Sequence, residues 1–360
     1  MRPGVAAIVY NKPLPSVYNA RGEEAAEDGV MDELKAVKAA LLKLGYEVRP
    51  IPLEPPVESA RKQLENLKAD LVFNLFEGFS GSPETEADIA DILAGTGIPF
   101  TGNPSPILRL GLDKPATKRL LRDAGIDTPG FQMLGPGDAS DFRLNFPCII
   151  KPPAEDASHG LTEKSVVNSL DELSRQLAAF GQTYPGPARV EAVIDGREFY
   201  ITVLGDAGNT ALPISEIEFS LPPGKPKILT FDAKWQPNTP YFKGTRVRCP
   251  AKIPEEIKVS IEVKARAAFL LLGCRGYARV DLRMDNSGRV FVIEVNPNPD
   301  LSPDYGAALQ AKTAGMDYPT LIKKIIELAL VKEDGTDQHS AYGRRGQASP
   351  DADPAGYPGV

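Results

Sequence analysis

Cysteine is scarce in this 360-residue chain, with Cys148, Cys249 and Cys274 the only three. Their number is odd and their spacing wide, so they give neither a disulfide framework nor a zinc-binding pattern, and a reducing compartment fits better. Histidine is scarcer, with only His159 and His339. A Ser-His-Asp or Cys-His mechanism would have to rest on His159, since His339 lies in a polar C-terminal stretch. Long apolar runs are absent too. VAAIVY at 5–10 is too short for the core of a signal peptide, and nothing is long enough to span a bilayer. The expected location is the cytoplasm, without a membrane partner. Positive charge is not in excess: the net charge is −7, which argues against a general nucleic-acid partner.

What is present is an ordinary globular composition, 42% hydrophobic and 25% charged, in a chain long enough for two or three domains. Strand-like runs at 5–10, 47–51, 70–75 and 98–100 alternate with helical patterns at 31–44, 58–67 and 84–94. That alternation predicts a small parallel α/β domain over 1–112. Parallel sheets bind ligands beyond the carboxyl ends of their strands, so Asn74, Glu77 and Gly78 are expected near a ligand. After a helix at 113–124 the pattern changes. Strands are expected at 146–151, 164–167, 189–194 and 198–204, with a helix at 170–179. A long helix at 254–272, paired strands at 276–284 and 290–295 and a helix at 317–330 complete an α+β portion. Division at 113–195 and 196–332 follows. Residues 333–360 are polar, with almost no branched aliphatics, and read as a disordered tail.

Chemistry is densest in the paired strands. Asp281 lies in ARVDLRM, and Glu294 and Asn296 lie in VIEVNPNP. Residues two apart on a strand share a face, so Glu294 and Asn296 point together, and Asp281 on the neighbouring strand can join them. Two carboxylates and an amide oxygen suit Mg²⁺, with Mn²⁺ as an alternative. An ordinary polar hairpin face is the competing reading, although the apolar flanks make unpaired acids costly there. Arg279 should share that face, either stabilising developing negative charge or pairing with one of the acids. Lys151 ends the strand PCIIK and can aim its charge at a phosphate, as can Lys114 and Lys234. Residues 155–160 then form a loop over a nucleotide, with His159 near its phosphates. In VEAVIDGREF, backbone at 192–194 could read a base and Glu191 or Glu198 a ribose. A plain hairpin is the competing reading of that segment.

Together these segments resemble the D-alanine–D-alanine ligase branch of the ATP-grasp superfamily over about 5–330. GIPFTGNPSPILRLGLDKPATKRLLRDAGIDTP, FPCIIKP, VEAVIDGREF, ARVDLRM and VIEVNPNP carry the resemblance by their order and spacing. It implies an ATP-grasp architecture: an N-terminal α/β domain, a small central α+β lid domain and a C-terminal α+β domain. It also implies an ATP- and Mg²⁺-dependent ligase that joins a small-molecule carboxylate to an amine through an acyl phosphate, with a homodimer as an open assembly. Lys114, Lys151 and Ser158 are similar to nucleotide-binding residues, and Glu191, Ile194 and Glu198 to the adenosine contacts. Lys234 in FDAKW is similar to a phosphate lysine, Asp281, Glu294 and Asn296 to the metal ligands, and Arg279 to an intermediate-stabilising arginine. A non-amine acceptor, or ATP sensing without catalysis, are the alternative readings.

The departures gather in the amino-acid half. The family's Gly-Ser-Ser loop reads Asp156-Ala157-Ser158, its tyrosine after the phosphate lysine is Trp235, and its His-Gly pair is Glu77-Gly78. Its serine- and glutamate-bearing loop is replaced by NKPLPS at 11–16, and the glycine of its NTxPG segment by Asp300. The expectation is therefore retained ATP chemistry with a substrate other than D-alanine, held near Glu77, Gly78 and Trp235.

Overall fold

Four consecutive apolar residues of the chain's first strand, Ala6 to Val9, are fully buried, and their alternation sets two cores at once. The computed structural model describes residues 4–14, 25–152, 158–184, 186–206 and 208–331. Strand β1 (Val5–Asn11) lies between β2 (Glu47–Leu53) and β3 (Leu71–Leu75), parallel to both, with helices α1 (Ala25–Lys43) and α2 (Val57–Glu65) as the crossovers. A strand buried on both faces needs apolar residues at every position. Ala6 and Ile8 pack with Leu34, Val37 and Leu41 of α1. Ala7 and Val9 pack on the opposite face with Leu64 and with Ile89 and Leu93 of α3 (Thr85–Thr96). The strand expected at 98–100 is reduced to one parallel bridge, Val72 with Phe100. Pro99 lies within that stretch and cannot donate to a ladder.

Helices α4 (Ser105–Leu112) and α5 (Lys114–Asp123) lead into the second sheet. Asp113 caps α5, its carboxylate accepting from the Ala116 amide at 2.9 Å. Strands β4 (Phe131–Leu134), β5 (Cys148–Lys151), β6 (Val166–Val167) and β7 (Ala188–Ala192) pair antiparallel in the order β4-β7-β5-β6, with helix α6 (Leu170–Thr183) against them. Cys148, Ile150, Ala188 and Val190 pack on Leu173 and Leu177 of α6. The alternate residues Ile149, Lys151, Arg189 and Glu191 turn to the other face.

The third sheet runs β11-β10-β8-β12-β13, built from β8 (Gly196–Leu204), β10 (Ser215–Phe219), β11 (Thr245–Arg248), β12 (Tyr277–Asp285) and β13 (Val290–Pro297), and β9 (Thr210–Ala211) pairs with β8. Short helices α7 (Phe231–Trp235) and α8 (Pro240–Gly244) precede β11, and the long α9 (Glu255–Leu271) packs Ile261, Ala265 and Phe269 against Phe199, Ile201, Val280 and Leu282. Helices α10 (Gly306–Thr313) and α11 (Tyr318–Leu330) close the fold, with Leu321, Ile322, Ile325 and Ile326 of α11 joining the core of the first sheet. Residues 1–330 form one contact unit.

Strands β4, β10 and β11 and helices α4 and α10 were not expected. They are short, and charged or small residues break their periodicity, so only their neighbours define them. No helix among the described residues is long and apolar enough to cross a membrane. The tail at 333–360, residues 155–157 of the loop at 155–160 and residues 15–16 of NKPLPS lie outside the described residues.

Candidate active site

The β12–β13 hairpin places its chemistry by register. Asp281 pairs directly with Glu294, and Arg279 with Asn296, so all four side chains leave one face. The register shifts between Asp281 and Leu282, so Ile293 is the extra residue of a bulge beside the acids. Arg279 donates to Asp281 through Nε at 2.7 Å and Nη2 at 3.0 Å, and its guanidinium lies over the Tyr200 ring at 4.8 Å. Asn296 donates from Nδ2 to the same carboxylate at 3.1 Å. Lys114, at the start of α5, donates to Glu294 at 2.5 Å. The pairing of Arg279 with an acid, one of its two expected roles, is thus present.

Burial and neighbouring charge act unequally on these groups. Burial pushes the Asp281 carboxyl above its usual range, with Glu294 adding to it and Arg279 opposing. Glu294 is equally penalised by burial, but Lys114, then Arg189 and Lys151, hold it below the usual range. Burial and the nearby Arg279 guanidinium push Lys234 down, against Asp281 and Glu294. Like charges directly across a ladder repel. The two acids therefore sit where a cation between them would be favoured.

Among the described residues no three His, Cys, Asp or Glu side chains gather into a metal cluster. The candidate set has two carboxylates and one amide oxygen. Mg²⁺ is commonly held by one or two carboxylates with phosphate oxygens and waters completing its shell, so these donors fit it.

A narrow cleft of about 130 Å³ runs between the second and third sheets. Lys151, Ser158, Glu191, Ile194, Glu198, Lys234, Arg279, Asp281, Glu294 and Asn296 all line it. Lys114 does not; it backs Glu294 from behind. Glu198 accepts from the Tyr200 hydroxyl at 3.0 Å and lies 3.4 Å from Arg283. His159 is buried, its ring centroid 5.5 Å from that of Phe231, and it lines the cleft as well.

Glu191 is the centre of a cluster of ion pairs. Its carboxylate is enclosed by Lys118 at 3.2 Å, Lys151 at 3.1 Å and Arg189 at 2.9 Å, and the residue is 1% exposed. These cations surround the carboxylate of a side chain that also lines the cleft. Burial alone would raise its pKa, but the three cations together bring it down to about 2. Lys118 shares one anion with two other cations, so burial dominates and its pKa falls to about 8. Nε and Nη1 of Arg189 are buried without aligned hydrogen-bond partners, so its contact with Glu191 is ionic. Lys118 and Arg189 were missed in the sequence. The signals were Lys118 four residues after Lys114 on one helix, and Arg189 two before Glu191 on one strand.

The cleft opens into a second cavity of about 2080 Å³. Lys234, Arg279 and Asn296 line both, so they stand at the junction. Glu77, Gly78, Phe79 and Trp235 line the larger cavity. Gly78 has φ 90°, and a Cβ there would meet the Pro83 backbone at 3.1 Å, so this turn needs glycine. Asn74 lies elsewhere: it is buried within β3, its Oδ1 accepting from the Phe76 amide at 3.2 Å, and lines neither cavity. The strand ends one residue later than Asn74, which turns its side chain inward.

Comparison with known proteins agrees with this arrangement. The family model described as "D-ala D-ala ligase C-terminus" matches residues 120–327. The protein y4sG of Sinorhizobium fredii is 36% identical over 72% of this chain and 74% of its own length. A D-alanine–D-alanine ligase of Alcanivorax borkumensis is 31% identical over 83% of this chain and 89% of its own. In fold, the chain is similar to the Bacillus anthracis D-alanine–D-alanine ligase complexed with ATP, with TM-score 0.71 at 23% identity over 92% of this chain and 98% of that one. The VanG D-Ala:D-Ser ligase of Enterococcus faecalis gives TM-score 0.69 at 20% identity, over 92% and 100%. With more than half of its length matched by the family model and the hairpin acids in register, the chain belongs to the D-alanine–D-alanine ligase family of ATP-grasp proteins.

Proposed function

We propose that this protein joins a carboxylate to an amine at the expense of ATP, through an acyl phosphate. The observation that carries the reading is the junction: Lys234, Arg279 and Asn296 face a narrow charged cleft on one side and a large cavity on the other. A nucleotide in the cleft and a carboxylate in the cavity would meet there. The domain division follows the three sheets, with boundaries near 112 and 195 and the second sheet acting as the lid.

In this reading Lys151, Lys234 and Ser158 bind phosphate oxygens, and backbone at 192–194 with Ile194 and Glu198 receives the adenosine. Glu191 holds Lys118, and holds Lys151 until phosphate takes it up. The cleft is smaller than the roughly 300–1,000 Å³ of small-molecule sites. Nucleotide entry therefore requires the sheets to part, or Lys151 to swing from Glu191 toward phosphate. Asp281, Glu294 and the Asn296 side-chain oxygen would hold Mg²⁺, with Lys114 fixing the Glu294 carboxylate. Bound there with the nucleotide, the metal supplies charge neutralisation to the phosphoryl group. Little covalent chemistry is asked of the protein: it aligns the carboxylate with the phosphoryl group and neutralises charge with lysines. Arg279 then stabilises the oxyanion formed when the amine attacks. The pairing with Asp281 and the stack on Tyr200 hold the guanidinium in place beforehand, which lowers the cost of reorganisation.

The substrate is not D-alanine. Trp235 stands where the family has tyrosine, Glu77 where it has histidine, and the cavity exceeds what two small amino acids need. A phosphate-release screen over amino acids and dipeptides, with product mass determined, tests both parts. Condensation by loss of water, with D-alanine a poor substrate, is expected. Rapid D-alanyl-D-alanine formation with no better substrate would overturn the specificity reading, and no ATP turnover with any acid–amine pair would overturn the ligase reading.

A further inference from the structure

The large cavity is also lined by three acids that lie near one another. Glu33 on α1, Glu77 beyond β3 and Asp300 beyond β13 all line it. Glu33 is only 3% exposed. Its Oε1 accepts from the Leu301 amide at 2.7 Å, and its Oε2 has no hydrogen-bond or ion-pair partner among the described residues. Asp300 accepts from the Ser302 amide at 2.7 Å and has no ion-pair partner among the described residues.

The position of this cluster is fixed. Asn298, at φ 57°, turns the chain after β13 and accepts from the Asn103 amide at 2.7 Å. Leu301 is fully buried, and its carbonyl accepts from the Tyr318 hydroxyl at 2.9 Å. The Glu33–Leu301 contact therefore ties the first helix to the segment that carries Asp300. Burial, then Asp300 and Glu77, push the Glu33 carboxyl well above its ordinary range. A buried carboxylate beside two others is costly unless a cation joins it.

The lining carries both signs of charge: Arg279 and Lys234 suit a reacting carboxylate, and the acids suit nitrogen cations. Of Glu33 and Asp300, one α-ammonium offsets only one. A second cation answers that, and the volume accommodates the longer side chain.

We infer, resting on the ligase reading, that one substrate is a basic amino acid, or a peptide ending in one. Its nitrogen cations are held by Glu33, Asp300 and Glu77, and its carboxylate faces Arg279 and Lys234.

The test is calorimetric titration of the full chain, with Mg²⁺ and a non-hydrolysable ATP analogue. It compares lysine with norleucine and arginine with citrulline, in both stereochemical forms. A charge-assisted contact predicts at least about tenfold tighter binding of the cationic member of a pair. In Glu33→Gln and in Asp300→Asn that ratio should fall toward one. Asp300 is exposed, so its variant serves if Glu33→Gln does not fold. Equal affinities within each pair, a ratio unchanged in the folded variants, or no binding of either basic amino acid would overturn the inference. ADP release with neutral substrates alone would sink this inference and leave the ligase reading standing. Lysine binding without ADP release under any acid–amine pair would do the reverse.

Discussion

Replacing Glu191 with glutamine should destabilise the protein more than any single change at the cations around it. In the structure one carboxylate lies within 3.2 Å of Lys118, 3.1 Å of Lys151 and 2.9 Å of Arg189, and the first and last of these are almost fully buried. Glutamine keeps the shape and removes the charge, leaving three cations facing one another. Breaking a buried pair from one side costs about 3–5 kcal/mol. The pKa gives a similar figure: a fall from 4.5 to about 2 corresponds to roughly 3 kcal/mol. Lys118→Met should cost less, because Glu191 keeps two cations and burial already works against the Lys118 charge. The double variant should recover part of the Glu191→Gln loss by removing one repelling cation. Urea unfolding at neutral pH without nucleotide, read as a shift in midpoint at constant slope, measures all three. The sign with pH also follows. The Glu191 pKa is lower folded than unfolded, so its contribution is full above about pH 4.5 and disappears as pH falls toward 2. The wild-type acid limb should therefore be steeper than that of Glu191→Gln. A Glu191→Gln loss under about 1 kcal/mol, or a larger loss in Lys118→Met, would refute the ion-hub account.

Other predictions concern the reaction. Lys151→Ala and Lys234→Ala should each weaken ATP binding by about tenfold or more, read by nucleotide titration, since a charged hydrogen bond is lost. Unchanged affinity in both would remove them from the phosphate site. Glu294→Gln should keep the fold yet lose about a hundredfold or more in turnover and in apparent Mg²⁺ affinity, because it removes a ligand and frees Lys114. Normal metal dependence in that variant would contradict the assignment. Arg279→Met should lower kcat by about a hundred- to a thousandfold while ATP affinity stays near wild type. A loss confined to ATP affinity would assign Arg279 to ground-state binding instead.

The strand-borne part of the site was legible in the sequence because period two is a geometric rule. Glu294 and Asn296 had to share a face, and the Asn286–Gly288 turn brought Asp281 and Arg279 beside them. The first sheet was legible for a related reason: a central parallel strand needs unbroken apolar sequence, and residues 5–10 supply it. Lys118, Glu33 and Asp300 were harder to see. Each acts with a partner far along the chain, Glu191, Leu301 and Glu33 respectively, and no local pattern predicts such a meeting. The cations around the Glu191 carboxylate come from three places, Lys118 on a helix, Lys151 on the adjacent strand and Arg189 two residues before it, and only the last is placed by strand spacing. Asn74 was placed by the rule for strand ends, and the rule failed because the side chain turns into the sheet's interior.

The account stands or falls on whether the substrate's carboxylate takes up the phosphoryl group. The direct measurement uses an acid substrate from the screen, labelled with heavy oxygen in its carboxylate, and analyses the phosphate released during amide formation. The account predicts one labelled oxygen in each phosphate, with ADP as the nucleotide product. Unlabelled phosphate, or AMP and pyrophosphate, would contradict it.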